Sequence, residues 1–379
     1  MDKPNRNLFR ITRFILLRGP FLLRFLVRFR KPGNKLLLIK TDAIGDYILF
    51  RNYIEIVRRS ARFKDYHITF LGNELWKEIT EKYDVGFVDE LLFIDPESLY
   101  HSPLKTLKLG WRLFKGSYQV VLQPAYTRLL VTDGLAGLTA AKQIIGFESD
   151  NEGLPARYKA KTDKFYSERL TLQPSNLFEF YRSKFFFESV LNCNIQLEQP
   201  HLPIDKKLNT GIVIFPGAGI FKRGWEAGKF LALIKLTLEH TTQPVYLAGG
   251  AGEIPAGLYL EENLPPGSVT NLTGKTSLLE LIDLIGNAAL VISNETSAIH
   301  IAAATKTKAV CILGGGHFGR FSPYPRDMEN APVCVFEKMP CYHCNWNCIY
   351  KTAENEPFPC VSAIALDDVW QVVKGYLEP

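Results

Sequence analysis

The sequence predicts an α/β fold with two doubly wound domains, each built on a mostly parallel sheet. The chain has 379 residues, which is more than one hydrophobic core usually serves. Buried apolar runs of strand length alternate with helical segments in two series, which start near residues 35 and 211. Such alternation is typical of parallel sheets covered by helices. The stretch 193–210 between the two series contains Pro200 and Pro203 and is the predicted linker.

The first series defines a predicted domain over residues 34–192. Its first strand is the apolar run 35–40, and a helix over 46–59 follows it. The later elements continue the alternation, with strands at 67–71, 87–94, 119–123 and 143–147 and helices at 72–83 and 132–141.

The second series defines a predicted domain over residues 211–379. Its elements are strands at 211–215, 244–248, 290–293 and 309–313 and helices at 227–240, 278–287, 297–305 and 367–377. We expect the two domains to face a central cleft at the carboxyl ends of their sheets, where doubly wound folds bind ligands.

Residues 1–33 form a predicted basic helical extension. Residues 1–35 contain ten Lys or Arg against one acid, although the net charge of the whole chain is only +6. Helical spacing places Arg6, Arg10 and Arg13 on one face, and Gly19-Pro20 is expected to interrupt the helix. Arginines among Leu and Phe favour binding to an anionic membrane surface through 1–33. The alternative is a helix packed on the protein's own surface.

The predicted location follows from the absence of export signals. The sequence lacks the pattern of a cleavable signal peptide, and no run reaches the about 18 uncharged apolar residues of a spanning helix. Seven cysteines without such a signal do not indicate a disulfide framework. We therefore expect a cytoplasmic protein, peripheral on the inner face of the cytoplasmic membrane, with no nucleic-acid partner.

Three strand-to-helix turns carry candidate binding or catalytic residues. Asp46 opens the first predicted helix directly after Gly45, at the sheet edge where ligands bind, although a simple helix cap is the alternative. Gly217 lies in a small-residue turn followed by Lys222 and Arg223, which is the composition of a diphosphate site; a solvated basic turn is the alternative. The third set is a polar turn opening an Ala-rich helix, with Thr296, Ser297 and His300.

A glycine-rich loop follows the strand at 309–313 and includes Gly315, Gly316 and Arg320. It matches G-x-G-x-x-G, but Pro323 and Pro325 prevent the helix that a dinucleotide fingerprint requires. We therefore reject a dehydrogenase and expect the loop to contact phosphate instead.

Four cysteines lie close together near the end of the sequence. Reduced thiols packed in a loop are the favoured interpretation, and a structural Zn²⁺ is the alternative, since four thiolates can bind zinc tetrahedrally. The candidate ligands are Cys341, Cys344, Cys348 and Cys360.

Taken together in order, these motifs resemble glycosyltransferase family 9, the lipopolysaccharide heptosyltransferase family, from about Lys35 onward. The matching motifs are Ile44-Gly45-Asp46, Pro216-Gly217-Ala218, Lys222-Arg223-x-Trp225 and the run from Glu295 to Ala304. The sequence departs from the family at Glu295, where the family has Asp, and at Ser297, where it has Gly. Both changes would reshape the sugar pocket.

The resemblance implies a GT-B architecture of two Rossmann-like domains, with the acceptor bound by the first and a nucleotide-diphosphate sugar by the second. It implies an inverting transfer of heptose or a related sugar to a lipopolysaccharide-core or other lipid-linked glycan, with no required metal. Asp46 would be the general base. Lys222 and Arg223 would hold the diphosphate. The remaining implied donor-site residues are Glu253, which would accept ribose hydroxyls, and Glu295, Thr296, Ser297 and His300.

Two alternatives remain at the level of sequence. One is another GT-B transferase of capsular or lipid-linked oligosaccharide synthesis. The other is a non-catalytic subunit that binds a nucleotide sugar or a glycan.

Overall fold

The computed structural model describes residues 6–27, 33–148, 150–174, 177–207 and 211–378. The chain divides into two compact units. The N-terminal unit comprises Met1–Ser175 and Tyr181–Gln196, and the C-terminal unit comprises Asn176–Phe180 and Leu197–Pro379.

The N-terminal unit is built on a six-stranded parallel sheet with strand order β3-β2-β1-β4-β5-β6. Its strands are β1 (Lys35–Ile39), β2 (His67–Asn73), β3 (Glu90–Ile94), β4 (Val120–Gln123), β5 (Gln143–Phe147) and β6 (Glu168–Leu170). Its helices are α1 (Arg6–Leu26), α2 (Ile44–Phe50), α3 (Asn52–Arg59), α4 (Lys77–Tyr83), α5 (Pro96–Tyr100), α6 (Pro103–Lys115), α7 (Leu130–Leu138), α8 (Ala156–Thr162) and α9 (Glu179–Leu191), of which α9 starts in the segment assigned to the C-terminal unit.

The C-terminal unit repeats this architecture with strand order β12-β11-β10-β7-β8-β9, again parallel. Its strands are β7 (Ile212–Phe215), β8 (Val245–Leu247), β9 (Thr270–Asn271), β10 (Leu290–Asn294), β11 (Ala309–Ile312) and β12 (Val333–Val335). Its helices are α10 (Ala227–His240), α11 (Ile254–Glu262), α12 (Leu278–Gly286), α13 (Ser297–Ala304), α14 (Pro359–Ser362) and α15 (Leu366–Leu377).

The central strands of both units are buried along their whole length, which explains why they are continuous apolar runs. Because the strands of each sheet are parallel, their carboxyl ends lie at the same edge of the sheet. Polar residues that follow the strands therefore lie together at this carboxyl edge. This edge holds Asp46 in the N-terminal unit and the turns at Gly217 and Thr296 in the C-terminal unit.

The basic extension differs from the sequence prediction in one respect. Gly19-Pro20 does not interrupt the helix, because α1 runs unbroken from Arg6 to Leu26. Tertiary packing offsets the cost of the proline: Pro20 is buried, and a Cβ added to Gly137 of α7 would lie 2.9 Å from Pro20 Cγ. Leu16 and Leu17 join the core, so one face of α1 does pack on the protein's own surface. Residues 1–5 and 28–32 of the predicted extension lie outside the described residues.

Candidate functional site

The turn that carries Asp46 is held in place by side chains from the neighbouring strand β2 and the turn after it. Asn73 Nδ2 donates to the carbonyl oxygens of Thr41 (2.9 Å) and Asp42 (3.3 Å), and Trp76 Nε1 donates to that of Asp42 (2.9 Å). These three hydrogen bonds fix the loop between β1 and α2. Asp46 itself is half-buried in the first turn of α2, where a carboxylate is stabilised by the helix dipole.

Helix α2 is anchored beside Asp46 by its neighbour Tyr47. The Tyr47 ring stacks on Trp76 with centroids 3.8 Å apart, and its hydroxyl donates to Asp84 Oδ2 over 2.6 Å. Arg51 forms a buried ion pair with the same carboxylate at 2.7 Å. These contacts fix the helix that bears Asp46. Sequence reasoning missed Asn73 and Trp76, whose only signal was their position after a buried strand.

In the C-terminal unit, Asn294 joins the two turns that were predicted to bind the donor. Its Oδ1 accepts from the Trp225 backbone N–H (3.0 Å), and its Nδ2 donates to the carbonyl oxygens of Pro216 (2.8 Å) and Gly217 (3.0 Å). The end of β10 is therefore tied to the turn after β7 and to the segment that carries Arg223. Asn294 was not among the predicted site residues, because in the sequence it is one polar residue at the end of a buried strand.

Gly217 and Glu253 are in close contact. A Cβ added to Gly217 would lie 2.2 Å from Glu253 Cγ and 2.4 Å from Oε1, so a larger residue at this position would displace the Glu253 side chain. Glu253, predicted to accept ribose hydroxyls, thus lies against the turn predicted to approach the diphosphate.

Arg223 and Glu295 are two titratable residues of this unit that act electrostatically on each other. Among the residues the structure describes, Arg223 Nε and Glu295 Oε1 are buried with no hydrogen-bond partner. Burial raises the pKa of Glu295 to about 8, while the nearby Arg223 acts in the opposite direction. Burial also lowers the pKa of Arg223, whose guanidinium lies over the Trp346 ring at 4.8 Å from its centroid. A buried polar atom without a hydrogen-bond partner destabilises the folded protein, and such atoms are typical of ligand-binding sites.

Thr296 and Ser297 stand at the N-terminus of α13. Thr296 is the N-cap, and its Oγ1 accepts from the Ala298 N–H (3.3 Å) and contacts Ser293 Oγ (3.0 Å). Ser297 is the first residue of the helix and is half-buried. The turn therefore provides helix N–H groups with the positive end of the dipole, as expected for an anion site.

His300 is buried inside the C-terminal unit. Its Nδ1 lies 2.9 Å from Tyr324 Oη, and burial lowers its pKa to about 4. The imidazole is therefore neutral at physiological pH, and it belongs to the helix that follows the Thr296 turn.

Two cations that were predicted to bind phosphate, Lys222 and Arg320, form hydrogen bonds with other protein groups. Lys222 Nζ donates to Thr352 Oγ1 (2.9 Å) and to the Thr352 carbonyl (3.2 Å). Arg320 Nε donates to Glu179 Oε2 over 3.0 Å, and the Glu179 side chain is buried. Arg223 thus differs from Lys222, because its buried Nε donor has no hydrogen-bond acceptor among the described residues.

The glycine-rich loop is covered by aromatic rings. A Cβ on Gly315 would lie 2.3 Å from Tyr342 Cδ2, and one on Gly316 would lie 2.3 Å from Trp346 Cδ2. The backbone N–H groups of His343 and Asn345 donate to the carbonyls of the same two glycines at 2.8 and 2.9 Å. The glycines here permit the close approach of the loop that carries Tyr342 and Trp346.

The cysteines in this region are free of disulfide bonds. Cys360 Sγ accepts from the Gly315 N–H over 3.4 Å, and burial raises the pKa of Cys344 and of Cys360. Within the described ranges, no group of three or more His, Cys, Asp or Glu side chains is placed to hold a metal ion. One apolar cavity of about 440 Å³ lies in the N-terminal unit beside α1, and none of the predicted site residues lines it.

Fold and site define a class of protein: a two-unit α/β protein with two parallel sheets, whose second sheet has the turns at Gly217 and Thr296 at its carboxyl edge. The family Glycosyltransferase family 9 (heptosyltransferase) matches residues 127–350, which is more than half of the chain. The chain belongs to this family, as the motifs indicated.

Individual relatives and solved structures agree with this assignment. Lipooligosaccharide heptosyltransferase 2 of Campylobacter jejuni is 26% identical over 212 residues, covering 51% of this chain and 62% of that protein, so the chain spans about six tenths of this curated relative. The glycosyl transferase family 9 structure from Veillonella parvula has a TM-score of 0.69 at 16% identity and covers 92% of this chain and 98% of that one. The E. coli ADP-heptose heptosyltransferase II structure has a TM-score of 0.66 at 16% identity, covering 90% and 98%. These likenesses confirm the predicted α/β GT-B fold class.

Proposed function

We propose that the protein is an inverting glycosyltransferase that moves heptose or a related sugar from a nucleotide-diphosphate sugar to a lipid-linked glycan, such as a lipopolysaccharide core. The N-terminal unit binds the acceptor, and the C-terminal unit binds the donor. Membership of family 9 and the heptosyltransferase relatives support the reaction class.

The observation that carries the donor assignment is the pair Arg223 and Glu295. A buried guanidinium Nε and a buried carboxyl Oε1 lack hydrogen-bond partners in the described part of the chain. Glu295 directly precedes Thr296, the N-cap of α13, and Arg223 is close enough to act electrostatically on Glu295. A diphosphate would accept from Arg223 and from the α13 N–H groups, and a protonated Glu295 would donate to it as well. Because the pKa of Glu295 is raised to about 8, the proton is present at neutral pH.

The proposed chemistry is a single displacement at the anomeric carbon. The acceptor hydroxyl oxygen bonds to that carbon as its proton passes to the Asp46 carboxylate. The bond from the anomeric carbon to the phosphate oxygen breaks on the opposite face, and the nucleoside diphosphate leaves with the electron pair. Arg223 and the α13 N-terminus stabilise the charge of the leaving group, so the proposal requires no metal. Glu253, beside Gly217, accepts hydroxyl hydrogens of the ribose.

The surface-binding and location predictions belong to the same proposal. The enzyme works in the cytoplasm, on the inner face of the cytoplasmic membrane, where the basic segment 1–33 holds it beside its lipid-linked acceptor. Among the helices in the described part of the chain, none combines the length and apolarity that crossing a bilayer requires.

The test starts with a thermal-shift screen of nucleotide sugars to find the donor class, followed by turnover measurements on Asp46→Asn. We expect this variant to keep donor affinity and to lose about 10²- to 10⁴-fold in kcat, because the base is removed without changing the shape of the side chain. Glu55→Gln is the matched control, since Glu55 lies on the following helix and pairs with Arg59 on the surface.

Two outcomes contradict the proposal in different ways. Undiminished turnover by Asp46→Asn would remove Asp46 from the role of base. Donor binding by the wild-type protein without turnover on any lipid-linked acceptor would favour a non-catalytic binding subunit.

A further inference from the structure

Helix α1 is apolar on two opposite faces. Leu16 and Pro20 are buried against the rest of the N-terminal unit. On the outer face, Phe14, Leu22 and Phe25 are 64%, 68% and 63% exposed. Packing of the inner face explains why α1 belongs to the fold, but it does not explain large apolar side chains on the face that a surface helix normally makes polar.

Helix α6 repeats this pattern in a part of the chain far from the basic extension. Leu104, Leu107 and Trp111 follow one another at helical spacing and are 73%, 54% and 47% exposed. The opposite face of α6 is buried and consists of Thr106, Gly110, Leu113 and Phe114. The outer stripe is therefore not a core face that the fold has left uncovered, because α6 already has its core face.

The two helices are neighbours in the fold. A Cβ on Gly19 of α1 would lie 2.7 Å from Leu138 Cδ2, and one on Gly110 of α6 would lie 2.8 Å from Leu138 Cδ1. Both helices thus flank the same side chain of α7, and every residue of α7 is buried beneath them. We call the outer surface formed by Phe14, Leu22, Phe25, Leu104, Leu107 and Trp111 the α1–α6 face.

The charged residues of the two helices that form this face are all basic. Neither α1 nor α6 contains an Asp or Glu. Three of their cations contact protein groups: Arg13 donates to Tyr158 Oη, Arg24 to the Phe165 carbonyl and Arg112 to Glu90. The other cations are exposed and consist of Arg6, Arg10, Arg18, Lys105, Lys108 and Lys115. Apolar side chains among unopposed cations are complementary to anionic headgroups above acyl chains, with about 1 kcal/mol expected for each cation near such a surface.

We propose that the α1–α6 face docks the protein on an anionic bilayer, and that α6 supplies an insertion site of its own beside α1. This inference deepens the surface-binding part of the proposed function, and it does not depend on the transfer chemistry. Trp111 suits the bilayer interface because an indole has an apolar ring and a polar N–H, and Lys115 lies over this ring at 5.5 Å from its centroid.

The test is co-sedimentation of the full chain with two kinds of vesicle, phosphatidylcholine alone and phosphatidylcholine with phosphatidylglycerol. We expect binding to the anionic vesicles only, weakened by salt. The combined variant Leu104→Gln, Leu107→Gln, Trp111→Gln should lower the partition coefficient at least about tenfold, since three inserting side chains become polar. The control variant Leu258→Gln, Ile349→Gln changes exposed apolar residues of the C-terminal unit and should bind like the wild type.

A second measurement does not depend on the folding of a triple variant. Trp111 is 47% exposed, whereas Trp76, Trp225 and Trp370 are buried and Trp346 is half-buried. Anionic vesicles should therefore shift the emission of the wild type to shorter wavelength, and Trp111→Phe should lack most of this shift while still binding.

Three results overturn the inference. Wild-type binding by the α6 triple variant, together with loss of binding in Phe14→Gln, Leu22→Gln, would leave α1 as the membrane segment and remove α6. Vesicle binding with no change in Trp111 emission would do the same. A change from dimer to monomer in the lipid-free α6 variant would show that the face joins two copies of the chain. Each of these results leaves the transferase proposal to its own test.

Discussion

Replacing Glu295 with glutamine tests the electrostatics of the candidate donor site without any ligand. The Glu295 side chain is half-buried, its Oε1 has no partner among the described residues, and burial raises its pKa to about 8. A glutamate in the unfolded chain has a pKa near 4.3. Between these two pH values the folded protein holds a proton that the unfolded chain has released.

The sign of the effect follows from proton linkage. Because the folded state binds more protons in this window, stability is full below about pH 4.5 and falls as the pH rises through the folded pKa of about 8. A gap of this size corresponds to about 5 kcal/mol at 1.36 kcal/mol per pH unit, and partial exposure of the side chain reduces it to about 2 to 3 kcal/mol. Glu295→Gln has no proton to lose, so it avoids this penalty at high pH.

The assay is thermal unfolding of the wild type and Glu295→Gln at pH 5, 7 and 9, following the transition of the C-terminal unit. We expect nearly equal Tm values at pH 5 and a variant more stable by about 5 to 10 °C at pH 9, using 2 to 4 °C per kcal/mol for a unit of this size. Glu262→Gln, at an exposed glutamate of the same unit, should show no such difference. A constant difference between wild type and Glu295→Gln at all three pH values would refute the buried, protonated carboxyl.

Two further predictions concern the same unit. Arg223→Gln should lower donor affinity at least about tenfold by calorimetry, because it removes a buried charged donor, and Lys222→Gln should cost less because Lys222 is bonded to Thr352; equal losses would contradict the distinction drawn between the two cations. Gly315→Ala should lower stability by about 1 to 3 kcal/mol, seen as a reduced Tm, because its Cβ would lie 2.3 Å from Tyr342 Cδ2; an unchanged Tm would show that the ring moves freely.

The central sheets were predictable because their strands are short buried apolar runs followed by polar turns. The predicted strand at 35–40 is β1 (Lys35–Ile39), and the predicted strand at 309–313 is β11 (Ala309–Ile312). Asp46 and Thr296 were singled out for the same reason, since each lies where the chain passes from such a strand into a helix. Strands β6, β9 and β12 were missed, because each has at most three residues and shows no periodicity of its own.

What could not be predicted depends on contacts between distant parts of the sequence. The glycine-rich loop has the local pattern of a phosphate loop, and nothing within it reveals that Tyr342 and Trp346 pack on Gly315 and Gly316. Asn294 looked like an ordinary strand end, yet it bonds to Trp225 and Pro216, which are more than 60 residues away. Local propensity also predicted a break in α1 that burial of Pro20 overrides.

The distribution of charge gives the molecule a preferred approach to an anionic surface. The net charge is +6, yet residues 1–35 contribute +9 and α6 contributes +4, so the rest of the chain carries about −7. Under the proposed docking, an anionic bilayer would attract the basic α1 and α6 more strongly than the acidic remainder, which favours one orientation before any side chain inserts. In the proposed docking, the N-terminal unit lies nearest the lipid, and this is the unit proposed to bind the lipid-linked acceptor. A protein with the same +6 spread evenly would bind the surface in many orientations, and most of them would be unproductive.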